Sequence, residues 1–467
     1  MLDKTILKKL KSIFGKENVL YGRQDLYLYH YDASMESGYP DAIVFATTVG
    51  QIQAVVSLLS RANIPFIPRG SATNLAGGTV APQGGVIIEL SRMNKILEID
   101  IPNQVAVVEP GVFNLDLQNV LARHGYFYAP DPASQKVSTI GGNVAMNAGG
   151  PHCLKYGVTV NHVLGAELVL PDGELLQIGG KVAEVPGFDL LGALNGTEGT
   201  LGILTKLFLK ILPARKSVMT MLVSFHGIEP AATAVSTIIA RGIVPATLEY
   251  MDNQCIRAVL ASMQVDYPAD AAAVLIIETD GQENTVATQM KEMEDICRQC
   301  GAAEIRIASD ADERNRLWAG RRGALGAMTR LKPSVVVFDG TVPRNRLPEA
   351  LKQIDEICKK YNLQYGTLLH AGDGNIHPII VYDERDQDEK SRVHKGTDEI
   401  MRLCVNLGGT ITGEHGVGTE KIPAMSYLFS QQDMRAMFKL KKLFDPDLLC
   451  NPGKVFPKEI YTEKWKN

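Results

Sequence analysis

The sequence has no long apolar run, no excess of one charge sign and few cysteines, and each absence excludes a class of protein. No window of the 467 residues approaches the ~18 uninterrupted apolar residues that a transmembrane helix needs. The 48 basic and 52 acidic residues nearly balance, which gives no electrostatic reason to bind nucleic acid or an anionic membrane. The seven cysteines are scattered and odd in number. They do not resemble a secreted disulfide framework and favour a reducing cytoplasm.

Several short motifs are also missing. No G-x-G-x-x-G follows a predicted strand and no G-x-x-x-x-G-K-[ST] occurs, which argues against an NAD-type Rossmann domain and a P-loop NTPase. Cys297 and Cys300 form one C-x-x-C, which we interpret as two ordinary helix cysteines. Without a ferredoxin-like cysteine run, the chain is expected to carry no iron–sulfur cluster of its own. Residues 1–18 mix lysine through apolar positions at helical spacing, which predicts a surface helix and not a signal peptide.

The length and the patterning predict an α+β protein of at least two packed units. Residues 1–215 are predicted to form an N-terminal helix followed by two α+β subdomains, with short strands between glycine-rich turns. Residues 216–410 alternate strands and helices, and we expect a second α+β domain on an antiparallel sheet with helices on one face. Residues 411–467 open with glycines and end in a helix that returns to the first domain.

Two acid-free glycine clusters are the first functional signal. They are PRGSATNLAGGT (68–79) and STIGGNVAMNAGG (138–150). A diphosphate needs backbone N–H groups that point at it without a Cβ in the way, and small hydroxyl and amide side chains add donors. Two tight turns in a β-rich domain are the structural alternative. Because both clusters are long and lie in one domain, we favour a cradle for a diphosphate.

Together with DPAS (131–134), KYG (155–157) and GTEGTLGI (196–203), these clusters resemble the FAD-binding domain of the vanillyl-alcohol-oxidase type. Within that superfamily the chain resembles the glycolate oxidase D-subunit and FAD-linked D-lactate dehydrogenase branch, from about residue 20 to Gly453. The resemblance implies that residues 1–215 bind FAD. No histidine lies between residues 31 and 123, so the covalent His–FAD linkage of some relatives is not expected. His152 is expected to have a local packing role.

The resemblance carries over a set of flavin-binding positions in this sequence. They are Pro68, Arg69, Gly70, Ser71, Ala72, Thr73, Asn74, Gly77, Gly78, Thr79, Asp131, Ser134, Ser138, Ile140, Gly141, Gly142, Asn143, Asn147, Ala148, Gly149, Gly150, Gly196, Glu198, Ile203 and Asn451.

Histidines and acids form the second functional signal. His370 and His377 lie seven residues apart across a Gly-Asp-Gly-Asn turn, and Glu414 and His415 lie in TGEHGVG (412–418). Two histidines that fold back toward one centre, completed by a carboxylate, make a divalent metal site with open positions. We therefore predict His370, His377 and Glu414 as metal ligands and His415 as the catalytic base. A single histidine would more simply be a hydrogen-bonded turn or core residue. The family resemblance supports the metal site and leaves zinc, iron or manganese open.

The substrate also needs a cation. By resemblance, Arg321, three residues after Trp318, contacts the substrate carboxylate, with Arg322 as the weaker candidate. Relatives that oxidise 2-hydroxyglutarate carry a lysine where this chain has Val337 and an asparagine where it has Ile379. Both differences remove polar groups, which favours a short monocarboxylic substrate.

These observations predict an FAD- and divalent-metal-dependent dehydrogenase of a short D-2-hydroxy acid, with D-lactate first. The D configuration rests on the resemblance alone. Electrons are expected to pass to a partner protein, such as an electron-transfer flavoprotein or an iron–sulfur subunit. Two alternatives stay open: a glycolate dehydrogenase or oxidase FAD subunit of a larger complex, and a catalytically idle flavin electron-transfer subunit. We expect dissociable FAD and a cytoplasmic location.

Overall fold

The computed structural model describes residues 2–182 and 186–462, and the chain divides into two compact units. Unit 1 comprises Met1–Gly149, Val158–Ala214 and Glu414–Asn467, and unit 2 comprises Gly150–Gly157 and Arg215–Gly413. The division points lie after Ala214 and Gly413. The excursion of Gly150–Gly157 into unit 2 was not expected.

Helices account for much of both units. Within the described residues the α-helices are α1 (Lys4–Phe14), α2 (Arg23–Tyr27), α3 (Val49–Arg61), α4 (Asn114–Ala122), α5 (Ile140–Met146), α6 (Cys153–Tyr156), α7 (Leu190–Leu194), α8 (Ile228–Ala240), α9 (Asn253–Ser262), α10 (Glu283–Gln299), α11 (Ala311–Met328), α12 (Leu347–Lys360), α13 (Gln387–Asn406), α14 (Met425–Leu428), α15 (Gln431–Phe444) and α16 (Lys458–Thr462). None of these helices is long and apolar enough to cross a membrane.

The strands form separate sheets in the two units. They are β1 (Val19–Leu20), β2 (Ala42–Phe45), β3 (Phe66–Arg69), β4 (Val86–Glu89), β5 (Ile96–Asp100), β6 (Val105–Val108), β7 (Tyr126–Phe127), β8 (Val163–Val169), β9 (Leu175–Gly179), β10 (Ile203–Lys210), β11 (Leu212–Pro213), β12 (Ser217–Phe225), β13 (Thr247–Asp252), β14 (Ala273–Gly281), β15 (Glu304–Ile307), β16 (Ser334–Val337), β17 (Gly340–Thr341), β18 (Gln364–His370) and β19 (Asn375–Tyr382).

Unit 1 contains a four-stranded sheet, a five-stranded sheet and a two-stranded ribbon. The four-stranded order is β1-β2-β4-β3, with β4 parallel to both of its neighbours. The five-stranded sheet is antiparallel, in the order β5-β6-β10-β8-β9. Helix α3 begins after its N-cap residue Thr48 and buries a stripe of Ile52, Val55, Val56 and Leu59 at helical spacing, so it packs against the first sheet in one core.

Unit 2 is built on one antiparallel sheet in the order β15-β12-β14-β13-β18-β19-β16, with β17 also paired to β19. One face packs on α8, α10, α12 and α13, and the other face packs on α9 and α11. The expectation of helices on one face is therefore wrong. Central strands such as β14 are buried on both faces and carry a continuous apolar run, AVLII.

Candidate flavin and active-site residues

The first glycine cluster forms a loop after β3 that its own polar groups hold in place. Asn74 accepts a hydrogen bond from the Gly78 amide at 2.7 Å and donates to the Thr79 hydroxyl at 3.1 Å. The Thr79 amide in turn donates to the Asp32 carboxylate at 3.3 Å. Asn74 and Thr79, both predicted flavin-binding residues, therefore shape the loop from inside.

The start of this loop has the backbone of an anion-binding turn. Ala72 has a left-handed φ of +55°, a conformation that turns successive amides toward one side of the chain. Among the hydrogen bonds of the described residues, none is donated by the backbone amides of Ser71, Ala72 or Thr73. Three consecutive N–H groups without an acceptor among the described residues suit an anionic ligand such as a diphosphate.

Pro68 and Arg69 lie within β3, and the arginine has structural partners. The Arg69 guanidinium is buried, donates to the backbone carbonyls of Tyr29 and Tyr31 at 3.3 and 3.0 Å, and lies 3.8 Å from the Glu89 carboxylate. Burial raises the pKa of Glu89 to about 7, although the Arg69 charge opposes this shift. The donors of Arg69 are therefore already directed at protein groups.

The second glycine cluster contains all of α5, and its first residues form the N-terminal turn of that helix. Thr139 is the N-cap, and its hydroxyl accepts from the Gly142 amide at 3.2 Å. The Ile140 and Gly141 amides donate to the carbonyls of Val112 and Pro110, both at 2.8 Å. These amides are thus occupied within unit 1. The donors left for a ligand here are side chains, because the Ser138 hydroxyl and the Asn143 amide nitrogen are buried without a partner among the described residues.

The end of α5 is also fixed by unit 1. Asn147 adopts a left-handed φ of +50° as the C-cap residue, and its side chain accepts from the Val160 amide at 2.9 Å. The Ala148 carbonyl accepts from Thr159, whereas Gly150 already belongs to unit 2. The segment from Ser138 to Gly149 is therefore held at both ends.

Glu198 and Asn451 form hydrogen bonds between the C-terminal segment and two of the predicted flavin-binding loops of unit 1. The Asn451 side chain donates to the carbonyls of Gly78 and Glu198 at 2.9 and 2.7 Å. The buried Glu198 carboxylate accepts from the amides of Val417 and Gly418, both at 2.7 Å. Burial raises the pKa of Glu198, although these two amides oppose the shift. The C-terminal segment therefore contacts both the first glycine loop and the GTEGT loop.

The remaining predicted positions occupy different environments. Gly196 donates its amide to the Val144 carbonyl at 3.0 Å. The Ser134 carbonyl accepts from Val137 and Ser138, both at 2.8 Å. Ile203 is a fully buried member of the core around α3. Residues 70, 77, 131 and 149 belong to unit 1 with them.

The two histidines of the H-x-x-x-x-x-x-H motif lie side by side in unit 2. His370 ends β18 and His377 lies in β19, and the hairpin turn between them brings their ring centroids to 5.2 Å at an interplanar angle of 84°. His377 Nδ1 lies 3.0 Å from the Phe338 carbonyl. A carbonyl can only accept, so this ring carries its proton on Nδ1 and presents Nε2 as a ligand atom.

Asp339 is a site residue that the sequence reasoning missed. Its carboxylate is fully buried and accepts from the Thr412 hydroxyl at 2.5 Å and the Gly413 amide at 3.1 Å. A possible metal-ligand atom of Asp339 lies within 4.8 Å of one on His377. His370 does not belong to the set of residues whose ligand atoms lie within this distance of one another. The signal was an acid directly after the apolar strand VVVF. The donor set of imidazole and carboxylate fits a divalent metal.

Glu249 is a second missed residue, and it contacts two predicted ones. Its carboxylate lies 2.7 Å from His370 Nδ1 and 2.6 Å from Arg321 Nη2, and its side chain is fully buried. Burial opposes ionisation, but the hydrogen bond from His370 and the positive charge of Arg321 hold the pKa of Glu249 below its ordinary value. The sequence feature that could have indicated Glu249 is a single acidic residue inside the apolar strand TLEYM.

Arg321 and Arg322 have different surroundings in α11. The Arg321 side chain is 12% exposed, and its Nε is buried without a partner among the described residues. The Arg322 guanidinium lies over the Trp318 ring, 5.4 Å from its centroid. Arg321 thus shares a carboxylate with a predicted metal ligand and keeps a donor for another group, as a substrate-binding arginine requires.

Glu414 and His415 lie in unit 1, directly after the last residue of unit 2. Both side chains are largely buried, and His415 Nε2 lies 3.9 Å from Glu414 Oε1. A Cβ added to Gly416 would meet Met146 and the Glu198 carboxylate. The segment after His415 therefore packs against the predicted flavin loops of its own unit.

A polar cluster holds the excursion Gly150–Gly157 in unit 2. Lys155 and Tyr156 bind the buried Asp280 carboxylate, the tyrosine hydroxyl at 2.8 Å. His152 lies 3.5 Å from Glu278. Although burial opposes ionisation, the hydrogen bond and charge of His152 lead the contacts that lower the pKa of Glu278 to about 2.

Two protein-family models match the chain. The model described as an FAD binding domain matches residues 40–179, and the C-terminal domain of FAD linked oxidases matches residues 214–455.

Full-length relatives and solved structures agree with these matches. The glycolate oxidase subunit GlcD of Bacillus subtilis is 41% identical over 461 residues, 98% of each chain. The D-lactate dehydrogenase of Anaerostipes hadrus is 33% identical over 426 residues, 89% of each chain. Substrate-bound p-cresol methylhydroxylase superposes with a TM-score of 0.79 at 19% identity, covering 96% of each chain. The 4-ethylphenol oxidase from Gulosibacter chungangensis superposes with a TM-score of 0.79 at 18% identity, covering 98% of each chain. The structural matches confirm the predicted α+β fold of the vanillyl-alcohol-oxidase type.

Proposed function

The chain belongs to the family of FAD-linked oxidases that includes the glycolate oxidase subunit GlcD and D-lactate dehydrogenases, and from this premise we propose that it oxidises a short D-2-hydroxy acid, most simply D-lactate, with FAD and a divalent metal. It is an FAD-linked oxidoreductase. The observation that carries the proposal is the arrangement in unit 2 of His370 and His377 with the largely buried Arg321, whose Nε has no partner among the described residues.

Residues of unit 1 would hold the flavin. We propose that the backbone amides of Ser71, Ala72 and Thr73 bind the diphosphate. The buried Ser138 hydroxyl and the side-chain nitrogen of Asn143 would be further donors. Asn451 would keep two of the loops in register through its bonds to Gly78 and Glu198. Bound FAD would supply the acceptor for the hydride that leaves C2 of the substrate.

The histidines, carboxylates and arginine predicted from the sequence would bind the metal and the substrate. We propose His370, His377 and Glu414 as ligands, with Asp339 next to His377 as a further carboxylate. A bound divalent ion would act as a Lewis acid on the substrate hydroxyl. Arg321 would bind the substrate carboxylate through donors that Glu249 does not use. His415 would accept the hydroxyl proton as general base.

The size of the substrate follows from two apolar positions. Val337 and Ile379 are register partners in β16 and β19, and Ile379 is fully buried in the core beneath α9 and α11. Neither side chain can pair with a second carboxylate, and burying an unpaired charge there would be costly. A monocarboxylate such as lactate or glycolate suits these residues, whereas a dicarboxylate does not.

Glycolate is the second candidate substrate. The relatives named as glycolate oxidase subunits are 41% and 40% identical to this chain, compared with 33% for a D-lactate dehydrogenase. Because those relatives are named as subunits, we also propose an electron-accepting partner protein, either an electron-transfer flavoprotein or an iron–sulfur subunit.

Anaerobic titration of the metal-replete protein tests the proposal through the visible absorbance of the flavin. D-lactate, L-lactate, glycolate and D-2-hydroxyglutarate are added separately, and bleaching by D-lactate is expected. Stronger bleaching by glycolate would select the second candidate, and saturation by the dicarboxylate would contradict the assignment of Val337 and Ile379. A protein that binds no flavin, or a flavin that no hydroxy acid reduces, would overturn the proposed activity.

Arg321→Lys with Arg322→Lys as the matched control tests the carboxylate contact. Lysine keeps the charge but loses the guanidinium fork, so KM for the hydroxy acid should rise by about tenfold or more in Arg321→Lys. Arg322 is exposed, so KM should change little in Arg322→Lys. Equal effects in the two variants would reject Arg321 as the substrate-binding residue.

A further inference from the structure

The carboxylate of Glu249 connects two groups of the proposed site that the sequence gives no reason to link. Glu249 lies in β13 directly opposite His370 of β18 in the antiparallel register, so both side chains project from the same face of the sheet. The second carboxylate oxygen reaches Arg321 of α11, the helix that packs on this face. One fully buried acid thus contacts residues from a strand and a helix.

On this geometry, and resting on the proposed function, we propose that Glu249 is a positioning residue that orients His370 toward the metal and Arg321 toward the substrate carboxylate at the same time.

The contact with His370 sets which ring nitrogen can bind a metal. The Glu249 carboxylate accepts from Nδ1–H at 2.7 Å, which leaves the lone pair on Nε2. His377 has the same tautomer, because its Nδ1 faces the Phe338 carbonyl at 3.0 Å. Both rings therefore present Nε2, the arrangement that a carboxylate or carbonyl behind a metal-binding histidine produces. Without Glu249, His370 could carry its proton on either nitrogen and rotate about its side-chain bonds.

The contact with Arg321 fixes the direction of the guanidinium. Glu249 Oε2 forms an ion pair with Nη2 at 2.6 Å, and Nε stays buried without a partner among the described residues. A buried arginine with one arm paired and another donor unused is preorganised for a second anion, because the pairing has already restricted its side-chain freedom. The pairing also balances the arginine charge before the substrate arrives.

Because one carboxylate supports both groups, its loss should change metal binding and substrate binding together. Glu249→Gln keeps the size of the side chain but offers one acceptor and one donor where two donors point in. An amide group that faces Arg321 would meet another donor, and one that faces His370 would favour the tautomer with the proton on Nε2, which cannot bind a metal. Loss of a carboxylate behind a metal-binding histidine lowers metal affinity by about 10–100-fold in known sites.

Glu278→Gln is the matched control. Glu278 lies in the neighbouring strand β14, is buried like Glu249, and accepts from the Trp318 indole at 3.0 Å and the Thr220 hydroxyl at 2.7 Å. Its partners include no proposed metal ligand and no proposed substrate-binding residue. The control therefore reports the general cost of removing a buried charge from this sheet.

The experiment measures the affinity of the chelator-treated, FAD-loaded protein for Mn²⁺ and Zn²⁺ by titration calorimetry, then kcat and KM for D-lactate and glycolate with saturating metal. Glu249→Gln is expected to weaken metal binding by about 10–100-fold and to raise KM when metal is saturating. Glu278→Gln should keep wild-type metal affinity. Glu249→Asp, which keeps the charge but shortens the side chain, should retain more metal affinity than Glu249→Gln.

The outcomes separate this inference from the proposed function. Wild-type protein that binds neither metal and oxidises no hydroxy acid would overturn the function. Wild-type protein that does both, with Glu249→Gln unchanged in metal affinity or in KM, would overturn the positioning role alone. If Glu249→Gln does not fold, Glu249→Asp carries the test, and wild-type metal affinity and KM in that variant would reject the proposal.

Discussion

The buried ion pair at the end of α15 allows a quantitative test of how the C-terminal segment is held in unit 1. Lys441 and Asp445 are four residues apart, and their side chains are 3% and 1% exposed. The ammonium also donates to the carbonyls of Thr200 and Cys450 at 2.5 and 2.8 Å. The carboxylate accepts from the amides of Leu449 and Cys450 at 3.1 and 2.9 Å.

The expected magnitude follows from these contacts. Asp445→Asn removes the counter-charge of Lys441 and places an amide donor where an acceptor is needed. Breaking one partner of a buried pair costs about 3–5 kcal/mol, a large share of the ~5–15 kcal/mol that stabilises a typical domain. Lys441→Met should cost a similar amount, since it leaves the Asp445 carboxylate buried without its cation. The double variant should cost less than the sum, because no unpaired charge stays buried.

Chemical denaturation and thermal unfolding of the FAD-loaded protein measure the effect. Each single variant should lower Tm by about 5–10 °C. The exposed neighbours Lys442→Met and Asp447→Asn serve as matched controls and should change stability by less than about 0.5 kcal/mol. Single variants that lose less than ~1 kcal/mol, or a double variant whose loss equals the sum, would refute the reasoning.

Three further predictions concern backbone, pH and metal. Gly418→Ala should destabilise strongly, because the added Cβ would lie 1.8 Å from the Ala76 carbonyl oxygen at a φ of +53°. Gly242→Ala, which has a φ of +79° but no atom within 4 Å of the added Cβ, should cost only about 1 kcal/mol. Thermal unfolding of the two variants tests this difference, and equal losses of stability would contradict the steric argument. Burial raises the pKa of Asp252 to about 6, so its contribution to stability is greatest below the unfolded pKa of about 3.9 and is lost as pH rises through about 6. Urea unfolding across that window should show a smaller loss of stability with rising pH in Asp252→Asn than in the wild type, and equal slopes would contradict this assignment. Removing the metal with a chelator should abolish oxidation of hydroxy acids while dithionite still reduces the bound flavin, and added Mn²⁺ or Zn²⁺ should restore turnover; undiminished turnover after chelation would exclude a metal role.

Local spacing explains what could be predicted from the sequence. The glycine clusters and the histidine pair occupy continuous segments, so residue types a few positions apart already indicate their chemistry. The helical stretches at 49–63 and 387–407 likewise correspond to α3 and α13, because their apolar residues repeat at helical spacing.

Glu249 could not be assigned in this way. It bonds to His370, which is 121 residues away, and only the register of β13 with β18 brings them together. Asp339 is similar, since its partners Thr412 and Gly413 follow 73 and 74 residues later. A single acid after or within an apolar strand has no local partner that would mark it as functional.

The positions of the helices on the sheet of unit 2 could not be predicted from the sequence for a different reason. Periodicity shows which side of a helix is buried, but it does not show which face of a sheet the helix covers. The expectation of a single covered face therefore had no local evidence to correct it. The excursion Gly150–Gly157 was equally hidden, because its partners Glu278 and Asp280 lie in a strand more than 120 residues further along the chain.

The division of the chain also fixes an order of completion during synthesis. Every segment of unit 2 precedes Glu414, so that unit is fully translated while the last part of unit 1 is still missing. That last part supplies Leu449 and Cys450 to the unit 1 core, and it hydrogen-bonds both the amide and the carbonyl of Phe66 in the edge strand β3. Unit 1 begins before unit 2 in the chain but is completed after it, and removal of residues 449–451 would take away the hydrogen-bond partners of Phe66 in β3.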